Sequence, residues 1–149
     1  REDQYNGYSL EGRIRLHLEI IAAVRQAVGS DFPIALRLGA SDYATGGATI
    51  EDSILAGAAF EQAGIDLLDI SGGLTSYINP NNSVQGYFSD LTEAIKQKVS
   101  IPVLLTGGVI DAAAAEKLLQ EEKADMIGVG RAILKDSEWA KRTMLLLDK

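Results

Sequence analysis

The sequence contains no cysteine. That excludes disulfides, thiolate metal sites and a cysteine nucleophile, and it fits an intracellular, cytoplasmic setting. His17 is the one histidine, so there is no H-E-x-x-H motif and no histidine pair to hold a metal. No apolar run approaches the roughly 20 residues that span a bilayer, and no signal-peptide pattern opens the chain. Positive charge is also scarce: 14 Lys and Arg face 21 Asp and Glu, a formal net charge of −7. This disfavours nucleic acid and anionic membrane as partners. An anionic ligand would need a local cationic site set against an acidic background. The chain opens on Arg1 with no methionine near its start, and it reads as a piece of something longer.

What is present is an ordinary globular composition, 46% hydrophobic and 23% charged over 149 residues. A chain of this size buries about 68–70% of its unfolded surface, enough for one domain.

Apolar residues Leu10, Ile14, Leu18, Ile21, Ala22, Val24 and Ala27 follow a helical period from Ser9 to Val28, with Ser9 as N-cap and Gly29 as stop. The run Pro33–Leu38 is of strand length. Thr49 precedes a helix over Ile50–Ala63, and Ile65–Ser71 reads as a strand closed by Gly72-Gly73. After a long irregular stretch, Leu91–Val99 reads helical and Ile101–Thr106 reads as a strand ending in Gly107-Gly108. Asp111 caps a helix through Gln120, Ala124–Gly130 is a strand, and Asp136 or Ser137 starts a last helix.

The order is therefore one helix followed by four βα units. Strands nearly apolar on both faces, alternating with helices, indicate a parallel sheet covered by helices. Glycines cluster where the strands end, and no strand runs directly into a G-x-G-x-x-G turn and helix. Both features favour a barrel over a dinucleotide-binding sheet. No internal repeat is evident beyond the alternation itself. The irregular stretch Leu74–Asp90 exceeds the usual loop length and lies at the site end, as a lid or substrate-contacting loop would; a passive surface excursion is the alternative.

Two strand ends carry the strongest chemical signal, Thr106-Gly107-Gly108 and Gly128-Val129-Gly130-Arg131. Glycine admits a phosphate close to backbone N–H groups, and Arg131 offers a charge-assisted bond. In barrels a phosphate site is often built by the loops after the last two strands. Arg37 is a charge inside the strand Ile34–Leu38, costly there without a partner. It either forms a structural salt bridge, with Asp69 in reach, or points into the site as a cation. His17, mid-helix, reads as a surface or packed residue. Asp66, Asp69 and Asp125 show no acid/base pairing, and Asp66 and Asp125 open their strands at the stability end of a barrel. Ser71 lies outside any nucleophile elbow, Trp139 reads as core or interface, and no residue stands out as a general acid.

With these residues in view, the chain resembles the old yellow enzyme family of FMN-dependent NADH:flavin oxidoreductases. The opening Arg1-Glu2-Asp3-Gln4-Tyr5-Asn6-Gly7-Tyr8-Ser9-Leu10-Glu11-Gly12-Arg13 is similar to the family's R-x-D-x-Y-G-G-S-x-E-N-R, with an extra residue before the serine and Gly12 where asparagine is usual. Asp31-Phe32-Pro33, Arg37, Gly64-Ile65-Asp66, Ile70-Ser71-Gly72-Gly73, Pro102-Val103 and Gly128-Val129-Gly130-Arg131-Ala132 follow in family order.

The resemblance implies the C-terminal half of a TIM (β/α)₈ barrel, residues 1–149 forming half of one FMN-binding domain. It implies that Arg37 faces the flavin pyrimidine edge, where charge accumulates on reduction. Gly107, Gly108, Gly130 and Arg131 would hold the FMN phosphate. NAD(P)H would be the reductant, with an activated alkene or other small molecule as acceptor. The family's paired substrate ligands and tyrosine proton donor lie upstream of the opening motif, so no catalytic residue is expected in this chain, and inactivity is expected of it alone. The competing readings are another phosphate-binding barrel enzyme and a non-catalytic self-assembling half-barrel. A half-barrel is expected to form a homo-oligomer or to associate with its missing half.

Overall fold

The computed structural model describes residues 1–74 and 78–147. Its elements run α1 (Leu10–Val28), β1 (Ala35–Gly39), α2 (Ile50–Gln62), β2 (Leu67–Ser71), α3 (Ser89–Lys96), β3 (Val103–Thr106), α4 (Ala112–Gln120), β4 (Met126–Gly128), α5 (Arg131–Lys135) and α6 (Trp139–Leu147). The expected caps are in place. Ser9 accepts from the Gly12 N–H, Thr49 from the Asp52 N–H and Asp111 from the Ala114 N–H, each satisfying an N–H that the helix leaves open.

The four strands are parallel and lie in the order β1-β2-β3-β4. A doubly wound sheet reverses its strand order at a switch point. Here the order never reverses, as in one arc of a barrel. The two faces of the arc differ. Leu68, Ile70, Val103 and Leu105 are fully buried on the helix-covered face, where Leu68 and Ile95 flank Gly57 of α2. Along β2 burial alternates, leaving Leu67, Asp69 and Ser71 only half-buried on the other face. That inner face carries the Arg37 side chain, 61% exposed. The sequence reading expected strands buried on both faces; the arc buries one.

Near the strand starts, three carboxylates accept backbone N–H groups. Asp66 accepts from the Ile34 N–H (2.8 Å) and from Arg25 (2.6 Å). Glu61 accepts from the N–H groups of Ser100 and Ile101. Asp125 accepts from the Val103 N–H (2.8 Å) and from Lys96. Asp66 and Asp125 each tie the start of one strand to its neighbour, while Glu61, near the end of α2, ties the segment before β3 to that helix, so Asp66 and Asp125 hold structure rather than chemistry. The matching sets Arg25–Asp66–Ile34 and Lys96–Asp125–Val103 also show a repeated two-strand unit that the sequence reading did not find. The aspartate is common to both, while the cation and the apolar residue differ.

The unusual opening motif has a packing explanation. A Cβ at Gly12 would sit 2.5 Å from the Asn6 carbonyl oxygen and 2.9 Å from the Asn6 side chain. Asn6 itself accepts from the N–H groups of Tyr8 and Ser9. Asn6 holds the turn, and glycine at position 12 leaves room for it.

Most element ends fall within two or three residues of expectation, and the C-terminal region differs more. The fourth strand stops at Gly128, and Gly130 opens a five-residue helix, α5, that the sequence reading missed. Asp136 ends that helix, and the last one starts at Trp139. No helix among the described residues is long and apolar enough to cross a membrane.

Candidate functional site

At the C-terminal ends of the strands a cleft of about 440 Å³ opens, within the size range of small-molecule sites. Arg37, Gly107, Gly108, Gly130 and Arg131 all line it. Five residues picked from three separate stretches of sequence thus meet in one place. Ser71, Gly72, Gly73, Thr106 and Gly128, from the strand-end motifs, share its wall.

Arg37 enters from β1 and meets its register partner on β2, Asp69. Its Nε lies 2.7 Å and its Nη2 2.5 Å from Asp69 Oδ2, while Thr106 Oγ1 donates to Oδ1 at 2.8 Å. The salt bridge considered from the sequence is formed, and the arginine still faces the cleft.

The remaining wall comes from the loop before α3. Gly86 and Tyr87 donate their N–H groups to the Gly107 carbonyl (2.7 and 3.3 Å). Gln85 accepts from the N–H groups of Ile110 and Asp111 and donates to the Asp111 carboxylate. That bond and the Ala114 N–H hold the Asp111 carboxyl below its usual range. Tyr87 and Phe88 line the cleft. The sequence reading left this stretch open between a site-contacting loop and a passive excursion, and named neither aromatic. Residues 75–77 of that loop lie outside the described residues.

The glycines divide into two kinds. A Cβ on Gly108 would lie 2.2 Å from Tyr87 Cε1, and Gly108 has φ +68°. Gly107 would meet Phe88 at 3.2 Å. Glycine at both positions is thus accounted for by packing within the chain. Gly130 is different: φ is −114°, and a Cβ there would meet nothing within 4 Å. Its missing side chain leaves open space at the cleft beside Arg131.

His17 lies apart, exposed on α1 with its ring 5.5 Å from that of Phe60. Trp139 donates to the Ile110 carbonyl at 2.8 Å, fastening α6 to the β3–α4 loop. No group of acidic or histidine side chains able to hold a metal occurs among the described residues.

A model of the NADH:flavin oxidoreductase / NADH oxidase family matches residues 1–147. The chain belongs to this family. It is 38% identical over 146 residues to an NADH oxidase of Thermoanaerobacter brockii, covering 95% of this chain and 22% of that protein. It is 36% identical over 147 residues to an NADPH dehydrogenase of Halalkalibacterium halodurans, covering 99% of this chain and 42% of that one. Among solved structures, a 2-naphthoyl-CoA reductase superposes with a TM-score of 0.86 at 29% identity, over 97% of this chain and 22% of its own. Morphinone reductase shares the fold, with a TM-score of 0.71 at 23% identity over 97% of this chain and 37% of its own. The chain therefore spans about a fifth to two-fifths of the length of these relatives. Four parallel strands alternating with helices correspond to half of their barrel, as the old yellow enzyme resemblance implied.

Proposed function

We propose that this chain is the C-terminal half of an FMN-binding barrel in an NAD(P)H-dependent oxidoreductase, and that its cleft holds the phosphate end of FMN. One observation carries the reading: Arg37, Gly107, Gly108, Gly130 and Arg131 line a single strand-end cleft, and Gly130 leaves space there that no part of the described chain fills. That space beside a guanidinium suits a phosphate. Among the described residues no carboxylate forms an ion pair with Arg131, so its charge is available to an anion. Arg37, on β1 at the opposite edge of the arc, would provide a second positive charge in the cleft wall, tempered by Asp69.

When bound, FMN would supply hydride transfer between a nicotinamide and a small-molecule acceptor, work that the cofactor carries and the protein positions. The chain's own part is to bind, orient and tune. The resemblance assigns the proton donor and substrate ligands to the upstream half, and inactivity of this chain alone belongs to the same reading. A cytoplasmic setting fits the cysteine-free composition.

The test is Arg131→Ala in the full-length flavin-binding protein. Loss of a charge-assisted bond, worth about 1.5–3 kcal/mol, should weaken FMN binding tenfold to somewhat over a hundredfold. Riboflavin, which lacks the phosphate, should bind almost as before. Equal losses for both ligands would remove the phosphate assignment.

A further inference from the structure

Arg131 has a partner that sequence spacing could not reveal. Its Nη2 donates to the hydroxyl oxygen of Tyr87 at 3.0 Å, across 44 residues of chain. We propose that Tyr87 is a positioning residue for this grip, holding the Arg131 guanidinium beside Gly130 while leaving its charge intact. The proposal rests on the phosphate reading above and adds to it the residue that orients the grip.

Tyr87 is built as a fixed post. Asn79, itself buried, donates its Nδ2 to the Tyr87 carbonyl at 2.6 Å, and the Tyr87 N–H reaches the Gly107 carbonyl. The ring meets Phe88 edge-on, centroids 4.7 Å apart and planes at 82°. Phe88 is fully buried and stacks in turn on Tyr43 at 6.2 Å and 18°. The Tyr87 ring also lies against the Gly107-Gly108 turn, so close that no side chain fits at Gly108. A ring packed against both Phe88 and this turn is held in place, and its hydroxyl marks a point on the cleft wall.

The chemistry of the partner matters as much as its rigidity. Arg37 is held by a carboxylate, which offsets its charge. Arg131 is held by a neutral phenol oxygen, which fixes direction without offsetting charge. A free arginine gives up rotamer freedom on clasping an anion. One already tethered loses less, which is the advantage of preorganisation.

The experiment measures FMN and riboflavin dissociation constants for the full-length protein carrying Tyr87→Phe, Arg131→Ala or both. Phenylalanine keeps the ring and removes only the hydroxyl. Tyr87→Phe should weaken FMN about three- to tenfold and leave riboflavin unchanged. In the Arg131→Ala background it should add nothing. If Arg131→Ala spares FMN, the phosphate reading itself fails. If Arg131→Ala weakens FMN while Tyr87→Phe does not, the positioning role is overturned. It is equally overturned if Tyr87→Phe weakens both ligands alike, or if its effect persists without Arg131.

Discussion

The Arg37 guanidinium lies on one oxygen of Asp69, with the Thr106 hydroxyl on the other. The carboxylate side chain is 18% exposed and the arginine 61%, so the acid is the sheltered, anchored member and the base reaches into the open. Asp69 therefore both aims Arg37 and moderates its field at the cleft. Within the proposed function, Arg37→Met should lower the reduction potential of bound flavin and slow its reduction by nicotinamide. Asp69→Asn, which leaves the arginine uncompensated, should raise the potential. A potentiometric titration settles both directions. No shift in Arg37→Met with FMN still bound would make the pair structural only.

The two kinds of cleft glycine should respond differently to a methyl group. Gly108→Ala forces a side chain onto Tyr87 at positive φ, and the cost should be about 1–3 kcal/mol of stability. Gly130→Ala meets nothing within the chain and should stay within about 0.5 kcal/mol of the parent, yet weaken FMN binding. Urea unfolding and flavin titration of the two variants make the comparison. A Gly130→Ala protein that binds FMN normally would mean that the open space is not used by the ligand.

The strand-start carboxylates set a pH dependence. The Ile34 N–H, with Arg25 beside it, holds the Asp66 carboxyl below its usual range. For Asp125 burial pushes upward, but the bonds from Lys96 and the Val103 N–H leave it lowered as well. A carboxyl lowered by folding contributes stability that is fully present above its unfolded value, about 3.9. That contribution is lost as pH falls through the lower folded value. Stability should thus decline below about pH 4, and Asp66→Asn, which can still accept from Ile34, should make the decline shallower. Unfolding free energies measured down the acid limb test this; parallel curves for the two proteins would rule Asp66 out as a source.

What could be read from sequence was local or periodic. Ser9, Thr49 and Asp111 announced their helices because capping acts over three residues. Arg37 and Asp69 were matched because neighbouring parallel strands bring such positions side by side. Tyr87 was not legible, since it reaches Arg131 from an irregular loop with no period to project. Helix α5 was missed because five residues are too few to show one. The pair Gly107-Gly108 pointed to the cleft that the strand ends line, although the structure also gives these glycines a packing reason, against Tyr87 and Phe88.

The last prediction concerns the 149-residue chain by itself. Its arc ends in β1 on one side and β4 on the other, each paired along one edge only, and an unpaired edge is a template for another chain. Helix α1 adds a second unsatisfied surface. Beyond the residues that pack inward, Leu16, Ile20, Val24 and Val28 recur every four positions and remain exposed, forming one stripe along the helix. Phe32, just before β1, continues it in sequence, and Met144, Leu145 and Leu146 of α6 are exposed too. Apolar surface on this scale beside open strand edges is rarely left in water. The isolated chain should therefore sediment as a dimer or larger species. It should also bind FMN weakly and oxidise NADH no faster than free flavin does, because the arc supplies only one side of the cleft. Sedimentation, flavin titration and an NADH oxidation assay on the same preparation test the three statements together. A monomer that binds FMN tightly and turns over NADH would show that four strands suffice, and the half-barrel account of function would have to be abandoned.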